Sequence, residues 1–354
     1  MTIRDALGRA GHIALIFAGA LVFGLVAQWL QFPLPWMLGA MLFSATVRMF
    51  DLPVRIPVQT RQLGQVLVAS SVGLSFTPEA LQVMLTLIGP MVLAAIVTIF
   101  VGYGVAAVLI RLTRAEPITA ILASLPMGPV ESAVLAEKHK VPVGPIVFAQ
   151  TLRIIFLVVL IPPLIVLLDG TISDAVAVLR NVAWSVSGAL ILFSFGLGGS
   201  VIARRLGMGN PFFIGALAGA AICASLSLPI TPFPYLVLVC AQVFLGIWLG
   251  AVFDRDLVRH ARGFISGSIL TSLLLVGLCA GLGVVLTHLT GQPWQVMVLA
   301  TAPGSVTEMA LTAKILQEGL ALVTAFHLVR IFIILPFAPL IISWFVRFAM
   351  RWGL

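Results

Sequence analysis

Polar residues are scarce along this chain, and they divide it into long apolar blocks. Runs such as Ile13–Leu30, Met84–Ile110 and Ile269–Leu286 are long enough to cross the hydrocarbon of a bilayer as helices. The first half carries six apolar stretches, approximately 12–30, 34–50, 61–76, 82–112, 117–138 and 143–168. The second half carries six more, approximately 178–200, 209–228, 235–252, 264–288, 294–316 and 319–347. Pro33, Pro35 and Pro211 stand where helices would start. The pattern predicts an all-α polytopic membrane protein.

The two sets of stretches resemble each other in detail. Glu131 and Arg153 lie 22 residues apart, and so do Glu308 and Arg330, at an offset of 177. Between and around them Ala123/Ala300, Pro126/Pro303, Ala133/Ala310, Ala136/Ala313, Ile154/Ile331 and Pro162/Pro339 match at the same offset. Upstream, Pro35-x3-Gly39-Ala40 matches Pro211-x3-Gly215-Ala216, and Leu52-Pro53 matches Leu228-Pro229, at 176. After a one-residue shift, Gln65, Gly73 and Phe76 match Gln242, Gly250 and Phe253. The chain therefore reads as a duplication, residues 1–172 and 173–354, joined through the polar run Asp169–Asp174.

Loop charges predict how the halves face. The connection after the second stretch carries Arg48, Arg55 and Arg61, whereas its counterpart, Ser227–Pro234, carries none. The next connection holds only Glu79, but its counterpart holds Arg255, Arg259 and Arg262. Arg111 and Arg114 follow the fourth stretch, against the uncharged His288–Gln292 at neutral pH. Arg204 and Arg205 stand in the equivalent of an uncharged first connection. Equivalent loops with opposite charge imply inverted-topology repeats, each of about five spans with one stretch that does not cross. That stretch is the fifth, since Pro126-Met127-Gly128-Pro129 and Ala302-Pro303-Gly304-Ser305 break it near its middle. Two arms of about 8–10 residues, roughly 12–15 Å each, suit a re-entrant or broken helical hairpin with its tip near the midplane.

The candidate chemistry gathers at these breaks. Glu131 and Glu308 fall in the opening turn of the returning arm, where the positive end of the helix favours a carboxylate. Arg153 and Arg330 fall about ten residues into the next span, at a depth where an unpaired charge costs about 2.5–3.5 kcal/mol and needs a partner. Glu131–Arg153 and Glu308–Arg330 pairs are expected, or else arginines that hold an anion at each tip. The plainer alternative is a salt bridge that fastens each hairpin to its neighbour. Gln150 and His327 stand three residues before each arginine, on the same helix face. Gly128, Gly304, Ser305 and Thr307 at the tips, with Gln65 and Gln242 in the third span of each half, complete the candidate substrate- or ion-binding set.

Composition excludes several classes. Charged residues make up 9% and hydrophobic residues 61% of the 354, too apolar for a soluble domain of this size. Mean hydropathy is +1.17. The net charge of +8 sits in short loops, with no extended basic face and no helix-turn-helix or zinc-finger spacing, so direct nucleic-acid binding is not expected. Cys223, Cys240 and Cys279 lie in apolar segments without metal or disulfide spacing. Arg4 and Arg9 before the first apolar run imitate a secretory signal, but the absence of a small-residue cleavage site makes that run the first span. Trp29, Trp36, Trp294, Trp344 and Trp352 fall near the expected interfaces.

Pro35-x3-Gly39-Ala40, the Ala302–Ser305 tip with Arg330 downstream, and the repeated organisation resemble the AbrB membrane-protein family, as two copies of its duplication domain. The resemblance covers nearly the whole chain. Members carry labels such as ammonia monooxygenase and regulator of gene expression. A copper oxygenase needs clustered imidazoles, whereas His12, His139, His260, His288 and His327 are scattered, so no metal, cofactor or enzymatic activity is expected. The residues point to an inner-membrane secondary transporter of a small, anionic solute, with both termini cytoplasmic and a site between the two tips. The alternative is a membrane-embedded sensor that affects gene expression indirectly. Partners are the bilayer, the solute and a possible second copy.

Overall fold

Prolines, glycines and short polar connections cut the apolar sequence into fifteen helices among the described residues. The structure is a computed structural model, and it describes residues 3–352 apart from 31, 33, 55, 170–181, 209, 227, 254 and 256–261. The expected boundary between repeats at 172/173 lies outside the described residues, as do the loop arginines Arg55 and Arg259. The first half gives α1 (Ile3–Trp29), α2 (Pro35–Met49), α3 (Val58–Gly73), α4 (Pro78–Thr86), α5 (Ile88–Thr113), α6 (Pro117–Ser124), α7 (Pro129–Lys138) and α8 (Val143–Asp169). The second gives α9 (Val186–Arg205), α10 (Pro211–Ser225), α11 (Tyr235–Gly250), α12 (Arg262–Thr290), α13 (Trp294–Thr301), α14 (Val306–Leu316) and α15 (Leu320–Arg351).

Pro35 and Pro211 do start their helices, at a position where the missing N–H leaves nothing unpaired. Among the described residues, six helices are long and apolar enough to cross a membrane: Gly11–Trp29, Ile88–Thr113, Val143–Ile165, Val186–Arg205, Gly263–Thr290 and Leu320–Arg351. The count becomes seven if the pair α3 and α4, bent by 88°, forms one span. The ten crossings expected from the loop charges would need shorter helices as well. α2, α10 and α11 have 15, 15 and 16 residues, or roughly 22–24 Å of helix against about 30 Å of hydrocarbon. The fourth stretch, which the apolar pattern makes continuous from 82, is divided between two helices. Thr77 caps a separate α4 through Ala80 N, Pro78 opens it, and the chain turns again at Leu87 before α5 begins.

The helices group into two compact units, and each sequence half contributes to both. The first unit comprises Met1–Leu74 and Ala177–Asp256. Its helices lie in a row of neighbours, α1–α2–α11–α3–α10–α9, with the short helices inside and the long α1 and α9 at the ends. Small residues set the spacing: a Cβ on Gly246 would strike the Met37 carbonyl, so α11 can approach α2 this closely only with glycine there. Cross-links between the halves include Trp36 Nε1 to Tyr235 Oη at 2.9 Å, Ser44 Oγ to the Ile247 carbonyl at 2.9 Å, and an Arg255–Asp51 ion pair.

The second unit comprises Ser75–Val176 and Leu257–Leu354. Here α5 packs on α12 and α15, and α8 packs on α12. The short helices α6 and α7 lie on α8, while α13 and α14 lie on α15. One apolar cluster joins Ile121, Leu122, Leu125 and Met127 of the first broken stretch to Ile146 and Ala149 of α8 and to Ile334, Ile341 and Phe345 of α15. Tyr103 Oη donates to the Ile341 carbonyl at 2.7 Å, tying α5 to α15.

Candidate functional site

The fifth stretch of each half is interrupted where the sequence places its prolines. α6 ends at Ser124 and α7 starts at Pro129; α13 ends at Thr301 and α14 starts at Val306. A helix that stops leaves its last carbonyls without N–H partners and presents the negative end of its dipole. Buried in an apolar unit, those carbonyls need donors from the protein itself.

Arg153 and Gln150 of α8 supply them to the first break. Arg153 Nη1 donates to the Leu125 carbonyl at 3.1 Å, and Nη2 donates to that of Met127 at 3.0 Å. Gln150 Nε2 donates to the carbonyls of Leu122 and Leu125 at 2.6 and 3.2 Å, and its Oε1 accepts from Arg153 Nη2. The second break is served in the same way from α15. Arg330 Nη1 donates to the Ala302 carbonyl at 2.7 Å and Nη2 to that of Gly304 at 2.6 Å. His327 Nε2 lies 3.0 Å from the Leu299 carbonyl, and its Nδ1 lies 2.7 Å from Arg330 Nη2. A carbonyl can only accept and a guanidinium can only donate. The geometry therefore requires the neutral imidazole with its hydrogen on Nε2. In that tautomer His327 performs the same two bonds as Gln150.

The register of these bonds gives the path of the broken stretches. Gln150 meets Leu122, and Arg153, one turn further along α8, meets Met127. The arm α6 thus runs beside the start of α8 and in the same direction. The arm α7 is joined to α8 through only 139–142, so it must return to that start. His327 with Leu299, then Arg330 with Gly304, repeat the relation. Each break is the tip of a hairpin whose two ends lie at the same end of the following helix.

The glutamates stand in the first turns of the returning arms. Glu131 is buried in the first turn of α7 with Oε2 folded back onto Gly128, where an added Cβ would overlap it. Glu308 holds the equivalent place in α14, three residues after Ser305, whose Oγ accepts from the Thr307 N–H at 3.3 Å. Both are positions from which a glutamate serves a capping box. The arginines' hydrogen bonds run to carbonyls, Gln150 and His327, so the expected Glu131–Arg153 and Glu308–Arg330 pairs are not among them. The physical reason is local: the broken helix brings several carbonyls into the guanidinium plane, while the Glu131 carboxylate turns towards its own helix start.

The two breaks share one neighbourhood. Arg153 and Arg330 are 1% and 3% exposed, and their charges are close enough to interact. Thr301 Oγ1, at the end of α13, donates to the Cys279 carbonyl of α12 at 2.8 Å. Among the described residues, Arg153 Nε, Arg330 Nε and Thr307 Oγ1 are buried without a hydrogen-bond partner. A small cavity with room for about one water lies beside Arg153, walled by Ser124, Thr271 and Ser272. Gln65 and Gln242 are buried too, on α3 and α11 of the first unit.

Comparison with known proteins follows this architecture along its length. The sequence matches the profile described as "Transition state regulatory protein AbrB" over residues 36–346. The chain belongs to the AbrB family. It is 24% identical over 325 residues to "Putative regulator AbrB" of Escherichia coli K12, covering 90% of this chain and 92% of that one. It is 23% identical over 359 aligned positions to "Uncharacterized protein YhjN" of Bacillus subtilis 168, covering 92% and 90%. No solved structure matches it. The AbrB-family match takes in both hairpin tips and both arginines. Backbone carbonyls as arginine partners leave no mark in sequence, whereas the run Ser305-Val306-Thr307-Glu308 carries the residue types of a capped helix start, a signal that could have found it.

Proposed function

We propose that this AbrB-family protein is a secondary transporter of a small anionic solute, bound at mid-depth by the two hairpin tips. One observation carries the reading: two buried guanidinium groups, each donating to one of two equivalently built breaks, share a neighbourhood and each keep a buried N–H without a partner. Leaving such a donor unsatisfied costs about 1–3 kcal/mol, and an anion received there would recover it. Two adjacent positive charges also repel, and a negative ligand relieves that. The helix starts at the tips, with Ser305 and Thr307, add further donors to the same region.

Duplicated halves with opposite loop charges support alternating access, since inverted repeats supply two states of similar energy around one site. Glu131 and Glu308 are the candidates for carrying a coupling proton. In this reading the N- and C-termini lie on the cytoplasmic side of the inner membrane, which the positively charged loops favour. The regulation named for the Escherichia coli relative would follow here indirectly, through the level of the transported solute.

Flux of small carboxylates, phosphate and sulfate into proteoliposomes under an imposed pH gradient tests the proposal. Uptake of one of them, abolished by Glu131→Gln in protein that still folds, supports it. Saturable anion binding with no flux under any gradient would replace transport by sensing.

A further inference from the structure

An apolar groove of about 590 Å³ lies on the first unit between α9 and α10, away from the residues used above. Its floor is the crossing of Gly199 and Gly215, where a Cβ on either residue would strike the other's carbonyl. Ile202, Leu206 and Ile222 form its walls and are 61%, 72% and 55% exposed. From Phe195 to Leu206 it follows α9 for roughly 17 Å, close to the hydrocarbon depth of one leaflet, about 15 Å. At the Leu206 end stand Arg204 and Arg205, both exposed and without an ion-pair partner among the described residues. Neither helix carries an acidic residue.

We propose that this groove is a specific site for one anionic phospholipid, with an acyl chain along the Gly199–Gly215 crossing and the phosphate at the Leu206 end on Arg205, while Arg204 adds positive charge from the next position. The arginine fork suits a phosphate diester, and the apolar channel leads directly away from it. A second copy of the chain fits less well. Two-fold pairing through the groove would bring both arginine pairs to the same level, face to face, with no acidic residue on either helix to offset them.

The groove can be filled without disturbing its floor. A Cβ at Gly198 meets nothing within 4 Å, so Gly198→Leu projects into the channel. The full-length protein is exchanged into nanodiscs of phosphatidylglycerol or phosphatidylcholine, extracted in mild detergent, and its retained lipid measured by native mass spectrometry. One phosphatidylglycerol per chain is expected to remain, and phosphatidylcholine to wash away. The exposed pair Arg204→Gln with Arg205→Gln should lower retention by roughly tenfold, the worth of a lost charged contact. Gly198→Leu should lower it with both arginines in place. Equal retention of the two lipids, or retention indifferent to both variants, overturns the proposal. So does a dimer mass that Gly198→Leu alone abolishes while bound lipid is unchanged, which would assign the face to a second copy.

Discussion

At the scale of single residues, the equivalence of Gln150 and His327 makes the sharpest statement. Each sits three residues before its arginine, donates to a carbonyl of the incoming arm and accepts from the guanidinium. His327→Gln can form both bonds with the same polarity, so thermal unfolding in detergent should shift by no more than about 1 kcal/mol. His327→Leu keeps the volume but strands one of the two Arg330 Nη2 hydrogens and the Leu299 carbonyl, at a cost of roughly 2–4 kcal/mol for two buried groups. If His327→Gln keeps stability but loses uptake, the imidazole has a ligand or proton role beyond its bonds to the break. Arg330→Lys separates the fork from the charge. One ammonium cannot meet the Ala302 and Gly304 carbonyls in the geometry of the planar guanidinium, so destabilisation is expected although the charge is kept.

At the scale of elements, each hairpin is a helix interrupted where the chain itself answers the loose carbonyls of the incoming arm, with arginine and Gln or His, and sets a glutamate in the first turn of the outgoing one. Glu131→Gln tests the second half of that statement. A glutamine serves a capping box as a glutamate does, so folding should survive with a shift below about 1 kcal/mol, and any loss of uptake reports the charge. Ser305→Ala removes the hydroxyl that accepts from Thr307 N and should cost about 1 kcal/mol, readable as a lower unfolding temperature. Much of this was open to sequence. Pro126 and Pro303 marked the breaks, the spacing from Gln150 to Arg153 put both on one face, and the run from Ser305 to Glu308 carried the cap. The arginines' partners were not, because main-chain carbonyls are the same in every residue. Nor was the short α4, whose apolar residues continue the pattern of α5 and whose start depends on Thr77 and Pro78.

At the scale of the molecule, two halves that look alike in sequence are divided between two units, because interchangeable apolar runs do not disclose which helices will meet. That choice falls to contacts such as Gly246 on the Met37 carbonyl, a matter of shape that hydropathy does not encode. The hairpins, by contrast, make a topological prediction that separates inverted from parallel halves. α6 and α7 have 8 and 10 residues, and α13 and α14 have 8 and 11, so each arm spans roughly 12–17 Å, about half the hydrocarbon. Both ends of a hairpin must then meet the same aqueous phase. Arg114 and Lys140 flank the first hairpin but hold positive φ angles of 54° and 57°, so the exposed neighbours Glu116 and Lys138 are the better places for a single cysteine. His288 and Glu318 flank the second. In a background without Cys223, Cys240 and Cys279, a membrane-impermeant maleimide should label Glu116→Cys and Lys138→Cys from one side, and His288→Cys and Glu318→Cys from the other. Opposite-side labelling within a pair would make that stretch a crossing helix. All four on one side would make the halves parallel, and a site between opposed tips would lose its geometrical basis.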